Sequence, residues 1–495
     1  MIARQRGEHA VERRRFSRPA GRTAERDRVI AVVGGGASGT LAAVHLLRAG
    51  HARVMLIDPG RHGLGVAYST SDERHLLNVR AAAMGALADE PEDFLWWARA
   101  HGLRAEPDDY LPRRLYGVYL QDLLTRFGEG RRLRMVCARV QNVLEPPNHS
   151  GVRMTLSDGR VLSADAVVLA LGNPPPATLG EISPSCHAAF VRDPWAPEAM
   201  HRVSGARRVA ILGSGLTAVD VALSILATNP AAQVSAISRH GLLPRAHLPG
   251  PAPAPPPLAL HAGCSLEQIV QTIAHAAAAA PGTWRSVVDG LRPIATELWQ
   301  ALTPAERERF ERELRPYWEV HRHRLAPAVA QRVRELSANG RLTVHSGGAS
   351  AVRAGGGAGG RVCVELGGGG RLDVDVVVNA TGPLRTLSAS SNPLVCRLLA
   401  SGRARPDALG IGIATSPDGA LVNFEGAASR RCFTLGPPRR GELLESTAIP
   451  EIRGQAAALA RLLTGTSAQR ERASSAICPK ATSGFSGSGS PDSSA

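Results

Sequence analysis

The chain carries two glycine fingerprints, Gly34, Gly36 and Gly39 in VIAVVGGGASGT and Gly213, Gly215 and Ala218 in RVAILGSGLTAVD, whose first glycines lie 179 residues apart. Each comes after an apolar strand-like run and leads into an apolar helical one, the setting in which G-x-G-x-x-G/A closes the turn of a dinucleotide-binding βαβ unit. The first glycine turns the chain out of the strand, the second lets the backbone approach a pyrophosphate, and the third lets helix pack on strand. The N–H groups at the helix start, including those of Ala37 and Ser38, then face the phosphates. Two copies predict an α/β protein of two nested Rossmann-like domains that handles two dinucleotides.

The second strand of each unit separates the two sites. Twenty-four residues after Gly34, the strand ARVMLID ends in Asp58, a carboxylate placed to accept from a ribose diol, which reads as the adenosine end of an FAD site. In the second copy the strand AQVSAIS ends at Ser238, twenty-five residues after Gly213, and Arg239 comes next. A hydroxyl and a guanidinium there suit a 2′-phosphate, so NADPH is favoured over NADH. The competing readings are a duplicated fold without its nucleotide and, for Arg239, a solvated surface arginine.

Composition excludes several alternatives. At 495 residues with 44% apolar content, the chain can bury two or three cores. The longest apolar stretch, Val29 to Leu47, is split by four glycines and belongs to the first fingerprint, so no membrane segment is predicted. The basic N-terminus with Arg13, Arg14 and Arg15 could be mistaken for an export signal, but cleavage after it would delete the flavin site; residues 1–28 read as a basic disordered extension. The net charge of +15 is almost all arginine, Lys480 being the only lysine, without the aromatic interleaving of nucleic-acid surfaces, so no nucleic-acid partner is expected. Seven scattered cysteines form no CxxC pair and no metal spacing, which points to a reducing, cytoplasmic setting and no metal. None precedes Cys137, which argues against a disulfide-reductase mechanism.

The runs DAVVLALGNPPP and DVDVVVNATGP end two apolar strands at Gly172 and at Thr381–Gly382, where chain must pass a cofactor or cross between domains. Two such crossings predict a first FAD-domain part at 29–175, an NAD(P)-binding-like domain at 176–385 and a return FAD segment at 386–465, with a Ser/Gly-rich tail at 466–495. Within the strand-like LRMVCARVQNVL, Val140 is assigned to the FAD contact. After a proline-rich linker, helical segments insert into the second domain at about 250–340 and are expected to shape a substrate pocket. The insert's His321, Arg322, His323 and Arg324 read either as functional or as a solvated basic helix face. The stretch FTLGPPRRGELLESTAIPEI turns at Gly436 and opens a last helix, whose positive end would stabilise reduced flavin.

With these segments in place the chain resembles the bacterial FAD/NAD(P)-binding proteins over roughly residues 29–465. The resemblance is carried by GGGASGT, GLGVAYSTSDERHLLNV, GSGLTAVD, ISRHGLLPRAH, HRHRLAP, NATGP and ESTAIPEIRGQA. That family is similar in layout to flavin-containing monooxygenases and amino-acid N-hydroxylases, where an asparagine in a segment like HLLNVRAAAMGALADEP sits beside the flavin. The resemblance therefore implies a flavin-side, catalytic role for Asn78; the plain reading is a loop-closing residue. It implies an FAD- and NADPH-dependent oxidoreductase that uses dioxygen on a small polar amine or amino acid through a flavin C4a-hydroperoxide. A reductase or dehydrogenase without oxygenation and a non-catalytic FAD-binding protein remain open, as do the substrate and the oligomeric state.

Overall fold

The computed structural model describes residues 28–465, apart from 51, 61, 147–150, 178–180, 252, 280–283 and 356–360. The predicted tail, and the predicted N-terminal extension but for its last residue, lie outside the described residues. The first βαβ unit is β1 (Arg28–Val33), α1 (Ala37–Arg48) and β2 (Ala52–Ile57). It continues through α2 (Gly65–Tyr68), α3 (Asp93–Ala100) and α4 (Arg113–Gly128) to β3 (Leu133–Val136), then β4 (Val140–Leu144), β5 (Val152–Leu156), β6 (Val161–Ala164) and β7 (Ala166–Leu169). The run LRMVCARVQNVL is thus two strands, broken at Cys137–Arg139: β3 lies in a parallel sheet, while β4 pairs antiparallel with β5 in a separate three-stranded meander.

The next unit contains β8 (Glu181–Ile182), β9 (Phe190–Val191), α5 (Ala199–Val203), β10 (Arg208–Leu212), α6 (Leu216–Thr228) and β11 (Gln233–Ile237). Helices α7 (Leu266–Ala279), α8 (Trp284–Gly290), α9 (Ala295–Ala301), α10 (Pro304–Arg309), α11 (Arg315–Arg322) and α12 (Pro327–Ala338) come after it. The chain returns through β12 (Leu342–His345), β13 (Ala349–Ala354), β14 (Val362–Leu366), β15 (Arg371–Val374) and β16 (Val376–Asn379). It ends with α13 (Pro393–Ala400), β17 (Ala420–Val422), β18 (Ala428–Thr434) and α14 (Ile449–Thr464).

Two sheets organise these elements, parallel throughout except for the antiparallel β17–β18 pair at one edge. One has the order β17-β18-β7-β1-β2-β3, so β18 from the C-terminal part pairs with β7 of the first part; the other runs β12-β11-β10-β16-β9. Strand periodicity explains both. In β1, Ile30 and Val32 face one core with α1, α4 and α14, while Ala31 and Val33 face another with the β4–β6 meander. In β10, Val209 and Ile211 face a core with α6 and α12, while Ala210 and Leu212 face the β13–β15 meander. Both faces of each sheet are covered, so the strands read as unbroken apolar runs.

The duplication extends to single hydrogen bonds. Gly34 N–H donates to the Ile57 carbonyl at 2.8 Å, and Gly213 N–H donates to that of Ile237 at 2.7 Å. Asp165 accepts from the Val29 N–H at 2.7 Å, and Asp375 accepts from the Arg208 N–H at 2.9 Å, in both cases at the N-terminal end of a central strand. Of the inserted helices, α12 packs into the second domain's own core, whereas Leu266, Leu298, Trp299 and Phe310 build a separate core that also takes in Leu409 and Leu444. The insert is therefore a cap lying across both domains.

Candidate functional site

At Gly34 (φ +105°) and Gly213 (φ +115°) a side chain would strike the carbonyls of Ala170 and Ala380, so the neighbouring strand leaves only glycine room. Each loop ends in a glycine N-cap, Gly36 for α1 and Gly215 for α6, with no side-chain oxygen capping the helix. Their first-turn N–H groups have no side-chain acceptor there and suit a pyrophosphate. Gly39 lies against the Gly34 carbonyl, and Ala218 is buried in the second core, each where helix meets strand.

The structure gathers most of the first-site residues. Asp58 accepts from the Gly35 N–H and the Gly60 N–H, each at 2.7 Å, so it holds the glycine loop and keeps lone pairs for a ribose. The loop after Cys137 starts beside it, since Asp58 N–H donates to the Val136 carbonyl at 3.0 Å, and Val140 stands just beyond as the first residue of β4. Gly436 (φ +74°) arrives from the C-terminal part, where a Cβ would lie 2.8 Å from Ser38 Oγ; its N–H donates to Gln455 Oε1 at 2.9 Å. Sequence reasoning missed His62, whose ring lies against Gly35 and whose Nε2 is buried without a hydrogen-bond partner. An unpaired ring nitrogen at the first glycine loop would suit a dinucleotide's phosphates; its signal was a histidine between glycines just past Asp58.

At the second site Ser238 is more occupied than its position suggests. Its hydroxyl accepts from the Gly241 N–H at 3.1 Å and pairs with the Ser214 hydroxyl at 2.8 Å, so it closes the turn. The guanidinium of Arg239 is exposed and has no carboxylate partner among the described residues. Arg385 stands near enough that, after burial, the Arg239 charge is the next cause lowering its pKa.

The two crossings pair with each other. Leu384 N–H donates to the Pro175 carbonyl at 3.0 Å, and Pro176 and Pro383 form an antiparallel bridge. The Thr381 hydroxyl and the Asn379 amide both donate to the Ala177 carbonyl at 2.9 Å, so Thr381 braces the crossing. Gly172 (φ +66°) and Gly382 (φ +82°) face open space. Arg440, unremarked in the sequence, is 7% exposed and donates to Asn173 Oδ1 at 2.9 Å, joining the return segment to the first crossing. Burial and the charges of Arg385 and Arg315 push its pKa down to about 10.

A cleft of about 640 Å³ opens between the Ser69–His75 loop and α6. At its wall His75 shares one nitrogen with the Thr70 hydroxyl at 2.7 Å and the other with Ser224 Oγ at 2.9 Å, while Ser224 donates to Asp72 Oδ2 at 2.5 Å. Burial, then the Arg113 charge, pushes His75 down to about 4, and burial raises Asp220 to about 6 despite its 2.8 Å ion pair with Arg113. Three residues on, half-buried Asn78 meets the second domain: its carbonyl accepts from His247 Nε2 at 3.1 Å. The insert's basic run is not a solvated face at Arg322 and Arg324, which are 8% and 2% exposed. Arg322 donates to both oxygens of Glu445 at 3.0 and 3.1 Å, and Arg324 pairs with Asp289. With Trp299 Nε1 donating to the Gly441 carbonyl at 3.0 Å, the cap is fastened to the segment leading into α14.

Among the described residues no group of histidine, cysteine and carboxylate side chains could hold a metal ion, and no helix is long and apolar enough to cross a membrane. Residues 31–174 match the sequence model of an FAD-NAD(P)-binding family. No curated protein matches the chain by sequence. Among solved structures, the ornithine N-hydroxylase of Kutzneria sp. 744, determined with reduced FAD, NADP+ and L-ornithine, superposes with a TM-score of 0.62 at 15% identity, covering 90% of this chain and 100% of its own. A cadaverine monooxygenase of Erwinia amylovora bound to FAD gives 0.61 at 16% identity, covering 88% and 94%. The ornithine hydroxylase of Pseudomonas aeruginosa gives 0.57 at 17%, covering 88% and 98%. The chain has the fold of these enzymes, α/β with parallel sheets joined by two crossings.

Proposed function

We propose that the protein is an FAD-dependent, NADPH-using monooxygenase acting on a small polar amine or amino acid in the cytoplasm. The carrying observation is the pair of glycine-capped helix starts, with unpartnered His62 Nε2 at one and, at the other, Arg239, which has no carboxylate partner among the described residues. FAD would be held by Gly34, Gly36, Ala37, Ser38, Gly39, Asp58, His62, Val140, Gly172 and Gly436. Bound there, it supplies hydride acceptance and dioxygen activation. The nicotinamide nucleotide would lie on Gly213, Gly215, Ala218, Ser238 and Arg239, with Thr381 and Gly382 at the crossing.

The protein's own groups position and exclude. Arg239 takes the 2′-phosphate with a charge-assisted bond, and Asn78 orients the bound partners at the junction of both domains and the cap. The cap keeps water from the reacting centre, held down by the buried Arg322–Glu445 pair. The three enzymes of similar fold act on ornithine or cadaverine, which supports an amine-bearing substrate. The test is NADPH consumption across amino acids, amines and aromatic acids with peroxide measured alongside. A substrate that raises consumption while suppressing peroxide supports the reading; consumption matched one-for-one by peroxide for every compound contradicts it.

A further inference from the structure

Three segments singled out in the sequence, HLLNV at Asn78, PRAH at His247 and HRHRLAP at Arg324, meet at one place. Ala246 and Leu325 form a parallel bridge, His247 N–H donates to the Leu325 carbonyl at 2.9 Å, and the His247 ring reaches the Asn78 carbonyl at 3.1 Å. The Tyr110 ring lies 5.1 Å from that of His247. Around them stand Arg80, whose guanidinium donates to the Gly250 carbonyl at 2.7 Å, and Arg285, which donates to the Ala246 carbonyl at 2.7 Å. Arg285 and Arg324 both lie over Trp284, at 4.4 and 5.8 Å.

The charges here do not balance. Asp108 pairs with Arg80 at 3.1 Å and Asp289 pairs with Arg324, while half-buried Arg285 has no carboxylate partner among the described residues. Three buried polar atoms at the same spot lack any hydrogen bond: the Tyr110 hydroxyl, Nε of Arg80, whose charge Asp108 balances, and Nε of Arg324, on a side chain 3% exposed. Burial, then the Arg324 charge, pushes the His247 imidazole down to about 3, so it adds no cation at neutral pH and its Nε2 proton goes to Asn78. An uncompensated guanidinium that shares the Trp284 face with Arg324, whose own Nε is unsatisfied and whose charge reaches the free Tyr110 phenol, offers donors to a planar oxyanion.

We propose that this junction seats a carboxylate of the substrate, with Arg285 and the Tyr110 hydroxyl as direct partners and Arg324 behind them, so that the substrate is a carboxylic acid and, where it also carries the reacting nitrogen, an amino acid. The assignment rests on the reading that Asn78 lies beside the flavin. It has a chemical consequence: surrounding guanidiniums disfavour a protonated amine, so a nitrogen held nearby is biased toward its neutral, nucleophilic form.

The test uses the flavin-loaded protein in its oxidised state without nicotinamide nucleotide. Calorimetry measures binding of glutarate and benzoate and of their neutral amides, glutaramide and benzamide. A saturable isotherm for at least one acid, weakened about tenfold or more in its amide and in Arg285→Gln, and partly retained in Arg285→Lys, is expected. Unchanged melting of Arg285→Gln shows that the loss is not misfolding. Equal binding of acid and amide, wild-type affinity in Arg285→Gln, or no saturable binding of either acid overturns the site. Because no turnover is involved, acid binding without flavin reduction by NADPH would refute the enzyme reading alone.

Discussion

His75 joins the two domains through Ser224 and stays neutral because burial, and then the Arg113 charge, hold its pKa near 4 against about 6.5 in an unfolded chain. A group depressed in this way binds more protons when released, so it withdraws stability as pH falls below 6.5, with the loss complete near pH 4. From pH 7 to pH 5 the linkage relation gives a loss of about 2 kcal/mol from this residue. Asp220 works in the opposite sense: its raised pKa of about 6 makes the folded form the better proton binder between about 4 and 6, which recovers part of the loss. Net stability against pH therefore does not isolate His75, but His75→Gln does, since glutamine can still bond the Thr70 and Ser224 hydroxyls and does not titrate. Hydrogen exchange of α6 amides, corrected for intrinsic rates, gives the local opening free energy of wild type and variant at pH 7, 6 and 5. The wild-type advantage over His75→Gln should shrink by about 2 kcal/mol across that range. A difference constant to within about 0.5 kcal/mol would refute the claim that His75 is a buried neutral link between the domains.

Single contacts give further expected outcomes. Gly436→Ala places a Cβ 2.8 Å from Ser38 Oγ at φ +74°, a left-handed conformation costing roughly 1–2 kcal/mol, so FAD retention should fall about tenfold, read by flavin fluorescence after dialysis. Glu445→Leu leaves buried Arg322 with no carboxylate nearer than Glu451 at 3.9 Å and should cost about 3 kcal/mol, while Arg322→Met with Glu445→Leu should regain most of it; equal melting of all three proteins would contradict a cap held by this pair. Arg239→Ala should raise the NADPH requirement about tenfold or more and leave NADH use nearly unchanged; equal effects on both would remove the 2′-phosphate role.

The fold was legible because its signals are local and repeated. Apolar strand, glycine turn and apolar helix recur at Gly34 and Gly213, and small-residue strand ends recur at Gly172 and Gly382. The break at Cys137–Arg139 was not legible, because strand propensity continues through it and only pairing partners decide where β3 ends and β4 begins. The candidate-site residues most legible in the sequence are those whose backbone geometry demands glycine, Gly34 and Gly213 above all. Residues acting through long-range contact were hidden: Arg440 reaches Asn173 across 267 positions and Arg322 reaches Glu445 across 123, and neither separation leaves a local pattern. The run HRHRL left two readings open for the same reason, since arginines at a helix end look solvated until their carboxylate partners are seen.

Above every single contact stands the proposed electron path, from a nicotinamide nucleotide on the second glycine loop to FAD on the first. Anaerobic mixing of the yellow, FAD-loaded protein with NADPH or NADH, monitored at about 450 nm where oxidised flavin absorbs and then opened to oxygen, tests it most directly. Rapid bleaching by NADPH, much slower bleaching by NADH, and reoxidation through a transient spectrum distinct from both oxidised and reduced flavin are expected. Flavin that neither nucleotide bleaches would contradict the path.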